Sequence, residues 1–218
     1  MEDKLSSGQS NELPCQLYLI SPLDVGGDFP EQLRAALEAG PVAAFQFRVK
    51  DVEQGEAARL AQPLKEICDA HDVAFIVNDD VALAKRLGAD GVHLGQGDDD
   101  LKDARATLGD QVQIGITCHD SRHLAMEAGE GGANYVAFGA FFPTETKETH
   151  YQPEVDLLRW WSAIMEIPCV AIGGITPDNC QPLVDTGADF LAVSGSVWKD
   201  PKGSADAVRR FTEILSAN

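Results

Sequence analysis

Short apolar runs alternate with longer amphipathic stretches along nearly the whole chain. Apolar runs of roughly four to eight residues without polar alternation are typical of strands buried on both faces of a parallel sheet. Eight runs fit this description: QLYLIS from Gln16, AAFQFR from Ala43, VAFIVN from Val73, GVHL from Gly91, QVQIGIT from Gln111, NYVAFGA from Asn134, IPCVAIGG from Ile167 and DFLAVSG from Asp189. The stretches between them have helical periodicity, among them FPEQLRAALEAG, VEQGEAARLAQPLKEICDAHD, DSRHLAMEAGEGG, VDLLRWWSAIME, TPDNCQPLVDTGA and SADAVRRFTEIL.

Eight such β–α units without a linker or a shift in composition predict a single (β/α)8 TIM barrel, here a catalytic domain over residues 14–218. A doubly wound open sheet is the alternative, but it usually carries a glycine-rich first turn. The first turn here, SPLDVGGDFP, does not have the G-x-G-x-x-G pattern. The polar segment MEDKLSSGQSNEL predicts a disordered N-terminal leader over residues 1–13.

The charge balance restricts the partners. Seventeen basic and thirty-five acidic residues give a net charge of −18. Binding to nucleic acid or to an anionic membrane needs a basic face, so neither partner is expected. An anionic substrate would need a local cationic pocket or a metal ion. Five scattered cysteines without a C-x-x-C pair, and the lack of a long apolar segment, favour reduced thiols and a cytoplasmic location.

A barrel places its chemistry at the carboxyl ends of its strands. The second strand ends with Gln46, Arg48 and Lys50, which point the same way because side chains alternate along a strand. A polar and cationic set directed into a barrel mouth predicts an anion-binding site. A strand that simply runs out into solvent would account for the same residues.

Acidic residues follow the next two strands. Asn78 and Asp79 end the third, and Asp98 follows the fourth. Magnesium prefers oxygen ligands and often takes only one or two carboxylates, with substrate phosphate and water, so Asp79 and Asp98 are candidate Mg2+ ligands. Asp is also a favoured helix N-cap, a role that suits Asp80 and Asp100.

The later strand ends carry hydroxyl groups and glycines. Thr117 and His119 end the fifth strand, and His119 is either a proton-transfer group or an ordinary polar residue. His93, in GVHLGQ, is interpreted as a packed or hydrogen-bonded histidine. Barrels frequently bind phosphate with the loops after strands seven and eight. The candidate phosphate contacts are Thr144, Thr146 and Lys147 after the sixth strand, with the loops at Gly173, Gly174, Val193 and Ser194.

Taken in order, the segments FQFRVK, IVNDD, ADGVHLGQGD, GIT, PTETK, AIGGIT and AVS resemble the thiamine-phosphate synthase family over essentially the whole barrel. The resemblance implies an enzyme that joins 4-amino-2-methyl-5-pyrimidinylmethyl diphosphate to a thiazole phosphate. It would release diphosphate, yield thiamine phosphate and need Mg2+. The reaction implied is dissociative, through a pyrimidinylmethyl cation that the thiazole nitrogen captures.

The resemblance also implies roles for individual residues. It makes Arg48, Lys50, Lys147 and Thr117 the catalytic residues and Asp79 and Asp98 the metal ligands. The implied substrate contacts are Gln46, Arg48, Lys50, Asn78, Thr117, Thr144, Thr146, Lys147, Gly173, Gly174, Val193 and Ser194. The expected partners are thus small phosphorylated substrates, with self-association into a homo-oligomer left open.

The sequence departs from the family pattern in three places. Thr117 replaces the usual Ser, Gly139-Ala140 stands where Gly-Pro is common, and Ser194-Gly195-Ser196 replaces Ser-Ala-Ile. The last departure resembles the thiazole tautomerases, relatives that use a histidine where His119 lies but tend to lack the Asp pair and the cations. Both the Asp pair and the cations are present here, so the synthase is favoured over a thiazole phosphate tautomerase. Because one barrel fold hosts many functions, a non-catalytic barrel that binds thiazole or thiamine phosphate as a regulator is the other alternative.

Overall fold

Eight parallel strands close into a barrel in the computed structural model, which describes residues 15–144 and 151–217. Each strand pairs with the next along the chain, and the eighth pairs with the first. The strands are β1 Gln16–Ile20, β2 Ala44–Phe47, β3 Ala74–Asn78, β4 Gly91–Leu94, β5 Gln113–His119, β6 Tyr135–Phe138, β7 Cys169–Ile172 and β8 Phe190–Val193. Seven of the predicted runs contain one of them, and the eighth, QVQIGIT, overlaps β5, which continues two residues further to His119. The predicted (β/α)8 barrel is confirmed.

Helices follow the strands and surround the barrel. They are α1 Phe29–Ala39, α2 Gln54–Ala70, α3 Val81–Leu87, α4 Leu101–Leu108, α5 Arg122–Glu130, α6 Asp156–Ile164, α7 Gln181–Asp185, α8 Gly195–Trp198 and α9 Ser204–Leu215. Within the described ranges, none of these helices combines the length and the apolar character needed to cross a bilayer.

Two apolar layers explain why the strands lack alternation. On β1, Leu17 and Leu19 pack with the helices in the outer layer, whereas Tyr18 and Ile20 point into the barrel. The inner layer is small and is completed by three alanines, Ile76, Val170 and a second tyrosine, Tyr135. Because both faces of each strand are covered, both must be largely apolar.

Aspartates cap two of the helices. The side chain of Asp80 accepts a hydrogen bond from the Leu83 amide at the start of α3, and that of Asp100 accepts one from the Lys102 amide at the start of α4. A cap of this kind stabilises a helix by about 1 kcal/mol. The capping role suggested for these two residues is confirmed.

Helix α7 is shorter than its predicted stretch, which began at Thr176. The side chain of Asn179 accepts a hydrogen bond from the Thr176 amide and donates one to the carbonyl of Gly174, so the chain turns before the helix starts at Gln181. Through these two hydrogen bonds, Asn179 holds the loop at Gly174 and Thr176 close to the end of β7. The predicted leader, residues 1–13, lies outside the described residues, as do residues 145–150.

Candidate active site at the barrel mouth

The carboxyl ends of the strands surround a cavity of about 500 Å3. A smaller cavity of about 270 Å3 adjoins it on the side of β2 to β5, and Arg48, Asn78 and Thr117 line both. The predicted site residues that line one or both cavities are Gln46, Arg48, Lys50, Asn78, Asp79, Asp98, Thr117, Thr144, Gly173, Gly174, Val193 and Ser194. Thr146 and Lys147 lie outside the described residues.

Side chains alternate along β2 and the residues that follow it. Gln46, Arg48 and Lys50 therefore all face the cavity, each closer to the rim than the one before. Gln46 is buried inside the barrel, Arg48 is half-buried, and Lys50 is exposed at the rim. The backbone at Arg48 is held by Ser21, whose hydroxyl accepts from the Arg48 amide at 2.9 Å and donates to its carbonyl at 3.1 Å. These two hydrogen bonds fix the end of β2, from which the Arg48 and Lys50 side chains extend.

The guanidinium of Arg48 is incompletely satisfied. Its Nη1 atom is buried and has no hydrogen-bond partner among the described residues. Burial lowers the pKa of Arg48, and the nearby Asp79 carboxylate acts in the opposite direction. A buried, unpaired donor is costly in a protein without a ligand, so this group is suited to receive an anion.

The two candidate metal ligands lie on the wall of the smaller cavity. Asp79 has a left-handed backbone (φ 65°), and its amide donates to the carbonyl of His93 at 2.9 Å. Asp98 is exposed, and its Oδ2 accepts from the Gly95 amide at 2.7 Å. No cluster of three or more His, Cys, Asp or Glu side chains is found in the described part of the chain. Two carboxylates beside a cationic pocket fit a magnesium ion that takes its remaining ligands from substrate and water.

Thr117 is held from two sides at the end of β5. Its hydroxyl lies 2.8 Å from Nε2 of His93, and its carbonyl accepts from the Gln96 side chain at 2.6 Å. His93 is buried and hydrogen-bonded, as predicted, but it also lines both cavities. His119, two residues further along the strand, lies on the same cavity walls.

The opposite wall is formed by β7 and β8. Gly173 and Gly174 both have positive φ angles, 103° and 61°. A Cβ atom on Gly173 would overlap Ala140, and one on Gly174 would overlap the carbonyl of Pro143. Both glycines therefore allow the loop after β6 to lie directly against the loop after β7.

The residues after β8 add two groups that the sequence analysis did not single out. The hydroxyl oxygen of Ser196 is buried without a hydrogen-bond partner among the described residues, and Ser196 and Lys199 both line the larger cavity. Tyr18 and Tyr151 also line the larger cavity. Only Tyr18 had a sequence signal, since alternation along β1 directs it into the barrel together with Ile20. Tyr151 lies in a loop, and Ser196 and Lys199 lie within and at the end of the four-residue helix α8, which is too short for a periodic pattern to indicate direction.

Known proteins resemble this chain over nearly its full length. Residues 17–197 match the family model described as thiamine monophosphate synthase. A thiamine-phosphate synthase of Erythrobacter litoralis is 66% identical over 94% of this chain and 98% of its own. A thiamine-phosphate synthase of Rhodospirillum centenum is 52% identical over 92% and 98%.

The fold comparison agrees with the sequence comparison. The solved structure of thiamine phosphate pyrophosphorylase from Pyrococcus furiosus superposes with a TM-score of 0.83 at 30% identity, covering 93% of this chain and 96% of the other. More distant barrels, such as a phosphoribosylanthranilate isomerase from the same organism at 14% identity and a TM-score of 0.66, share only the fold.

Proposed function

This chain belongs to the thiamine monophosphate synthase family, and we propose that it joins 4-amino-2-methyl-5-pyrimidinylmethyl diphosphate to a thiazole phosphate. In this reaction the bond between the methylene carbon and the diphosphate oxygen breaks, and a bond between that carbon and the thiazole nitrogen forms. The products are thiamine phosphate and diphosphate. One observation carries the proposal: Arg48, Asp79 and Asp98 line a single cavity at the barrel mouth.

Diphosphate becomes a competent leaving group when its charge is neutralised. Arg48 has a buried donor that finds no partner in the part of the chain that the structure describes, and Lys50 lies above it at the rim. Donors that are already in place stabilise charge as it develops on the departing oxygen, without reorganisation during the reaction. We assign Arg48 and Lys50 to this task. The family resemblance assigns Lys147 to neutralising the diphosphate as well.

Mg2+ is part of the proposal. Asp79 and Asp98 would hold it, and when bound it would neutralise phosphate charge beside Arg48. The strained backbone of Asp79 and the Gly95 amide bonded to Asp98 both hold these carboxylates on the cavity wall. The protein's own contribution is to position them.

The rest of the cavity is suited to two ring systems and a second phosphate. Gln46, Asn78 and Thr117 line the cavity and are assigned to the pyrimidine. The thiazole phosphate is assigned to Thr144, the Gly173–Gly174 turn, Val193 and Ser194 on the other side of the cavity. The Ser196 hydroxyl, which has no partner among the residues that the structure describes, lies with them. Holding both rings together supplies the proximity that a bimolecular coupling needs.

The proposed chemistry is dissociative and needs no covalent nucleophile. A pyrimidinylmethyl cation forms as diphosphate departs, and the thiazole nitrogen captures it. Cys118 is the thiol between Thr117 and His119, but it is fully buried and burial raises its pKa to about 12. A neutral, enclosed thiol is a poor nucleophile, so Cys118 is assigned no catalytic role.

The test is to mix the purified protein with both phosphorylated precursors, with and without Mg2+, and to follow thiamine phosphate and diphosphate. Mg2+-dependent formation of both products in equal amounts is the expected result. Isomerisation of the thiazole phosphate without coupling would instead support the tautomerase. Tight binding without turnover under any metal condition would support the regulator.

A further inference from the structure

Five buried or half-buried side chains form a continuous hydrogen-bonded chain across the barrel interior. Nε2 of Gln46 donates to the Tyr18 hydroxyl at 3.0 Å, which lies 3.0 Å from the Tyr135 hydroxyl. The Tyr135 hydroxyl lies 3.1 Å from Nδ1 of His93, and Nε2 of His93 lies 2.8 Å from the Thr117 hydroxyl. We call this set the interior chain. It connects β1, β2, β4, β5 and β6.

Both ends of the interior chain are residues that the proposed function assigns to the pyrimidine ring. Gln46 and Thr117 line the larger cavity, and so do Tyr18 and His93. Tyr135 does not line it. Tyr135 can therefore influence a ligand only through its neighbours, as a positioning residue.

The direction of the protons along the interior chain follows from its first bond. Burial raises the pKa of Tyr18 to about 12 and that of Tyr135 well above its usual value, so each phenol keeps one proton to donate. In the described part of the chain, Gln46 and Tyr135 are the hydrogen-bond partners of the Tyr18 hydroxyl. Since Gln46 donates to Tyr18, the Tyr18 proton goes to Tyr135.

The same reasoning continues to the other end. The Tyr135 proton then goes to Nδ1 of His93, so a neutral His93 carries its own proton on Nε2. That proton is donated to the Thr117 oxygen. The Thr117 hydroxyl is left to donate into the cavity, and the carbonyl oxygen of the Gln46 carboxamide is left to accept there.

We propose that the interior chain, acting through Tyr135 and His93, fixes Thr117 as a donor and Gln46 as an acceptor and so selects an aminopyrimidine over its oxo analogue. This inference rests on the proposed function. An aminopyrimidine offers an amino donor beside a ring-nitrogen acceptor, the complement of the pair that the cavity presents. The 4-oxo analogue offers a carbonyl acceptor beside a ring N–H donor, which is the reverse pattern. A site whose buried groups are left unpaired by the wrong ligand discriminates strongly against it.

The neighbouring strand makes room for the central residue of the interior chain. Gly115 pairs with Tyr135 in the sheet, and a Cβ atom at Gly115 would overlap the tyrosine ring. The tyrosine thus lies across β5 because residue 115 has no side chain. The close approach brings the Tyr135 hydroxyl within reach of both Tyr18 and His93.

The first test is made on the wild-type protein without ligand and needs no variant. The 15N NMR shifts of His93 distinguish an imidazole protonated on Nε2 from one protonated on Nδ1. The expected result is the Nε2–H form. An Nδ1–H form would mean that the chain runs in the opposite direction, and would overturn the proposal.

The second test compares the aminopyrimidine diphosphate with its 4-oxo analogue in Tyr135→Phe. This variant keeps the ring and removes the hydroxyl, so the interior chain no longer fixes the direction of the hydrogen bonds at Gln46 and His93. The amino-to-oxo ratio of kcat/KM is expected to fall about tenfold, through a higher KM for the aminopyrimidine at nearly unchanged kcat. Thr186→Val is the matched control, because it also removes a buried hydroxyl, one bonded within the α7 region and outside the cavity. A folded Tyr135→Phe protein with the wild-type ratio would overturn the proposal.

Equilibrium binding separates this inference from the proposed function. If the wild type does not couple the two precursors, the proposed function fails. The amino and oxo pyrimidine alcohols, which cannot react, still report the selectivity by calorimetry. Equal affinity of the wild type for both alcohols would overturn the inference, and a preference for the amino form that Tyr135→Phe loses would support it.

Discussion

The phenol ring of Tyr151 stacks on the imidazole of His119, with ring centroids 4.1 Å apart and planes inclined by 23°. His119 ends β5 with a left-handed backbone (φ 53°), and the carbonyl of Tyr151 accepts from the amide of Ala140, just after β6. Tyr151 therefore contacts the end of β5 through its ring and the chain just after β6 through its carbonyl. It closes one side of the cavity with a flat aromatic surface.

Loss of this stack is expected to weaken substrate binding. An aromatic pair contributes about 0.5–1.5 kcal/mol, so Tyr151→Ala should raise the KM of both precursors by about two- to tenfold. Tyr151→Phe keeps the ring and should behave like the wild type. Steady-state kinetics with each precursor varied in turn measures this, and equal impairment of the Phe and Ala variants would show that the hydroxyl, not the stack, is required.

The carboxylates of Asp79 and Asp98 are expected to determine the Mg2+ dependence. Replacing either by Asn removes one anionic oxygen donor, so both variants should need more Mg2+ for half-maximal coupling. Asp79→Asn should also lower kcat by at least about a hundredfold, because Asp79 lies beside Arg48 in the less exposed part of the cavity. Chelation of Mg2+ in the wild type should abolish turnover.

Asp99→Asn is the control for that series. Asp99 is exposed, adjoins Asp98 in sequence and does not line either cavity. Its Mg2+ titration should match that of the wild type. Unchanged turnover in Asp79→Asn and Asp98→Asn would contradict the assignment of these two residues as Mg2+ ligands.

Arg48 is expected to lower the stability of the free protein and to raise the rate of the reaction. The guanidinium has a buried nitrogen with no partner among the described residues, so its removal should relieve a desolvation penalty. Arg48→Met should therefore raise the free energy of unfolding by about 1 kcal/mol. The same change should lower kcat by about a hundred- to a thousandfold. Urea denaturation and steady-state kinetics measure the two effects. Arg59→Met, which removes an exposed cation paired with Glu56, should change neither.

Ser196 is expected to bind the phosphate of the thiazole substrate. Its buried hydroxyl has no hydrogen-bond partner in residues 15–144 and 151–217, and a hydrogen bond to a charged group contributes about 1.5–3 kcal/mol. Ser196→Ala should therefore raise the KM for thiazole phosphate by at least about tenfold and leave the KM for the pyrimidine diphosphate unchanged. Ser162→Ala, on the exposed face of α6, is the control. An equal rise in both KM values would place Ser196 in a general packing role.

The buried thiols are expected to make the protein less stable at high pH. Burial raises the pKa of Cys15 and Cys118 to about 12, and also raises the pKa of Cys68, Cys169 and Cys180. Free thiols in the unfolded chain lose their protons near pH 8.5. The unfolded state therefore binds fewer protons above that pH, and the stability present below it is lost as the pH rises towards about 12.

Urea denaturation between pH 7 and 11 measures how steeply the free energy of unfolding falls with pH. Cys118→Val removes one titrating thiol, so its free energy of unfolding should fall less steeply, by up to about 1.4 kcal/mol per pH unit. Parallel curves for the two proteins would show that Cys118 does not contribute to the pH dependence.

The sequence by itself determined the barrel and most of the residues at its mouth. Burial on both faces makes each strand a continuous apolar run, and alternation within β2 directs Gln46, Arg48 and Lys50 to one side. Capping by Asp80 and Asp100 also follows from local rules, because an N-cap needs only a side-chain oxygen two or three residues before its donor. These features depend on residues close together in the chain.

Only the tertiary structure decided which side chains meet inside the barrel. Tyr18 and Tyr135 are 117 residues apart, and their hydroxyls meet because closure of the barrel brings β1 and β6 to opposite sides of one narrow interior. The tertiary structure also decides whether a buried polar group finds a partner. Within the described residues, Ser196 and Arg48 each keep a polar atom without a hydrogen bond, whereas the Thr117 hydroxyl is bonded to His93. Periodicity gives the direction of a side chain, but hydrogen bonding depends on distances between strands that only the packed barrel fixes.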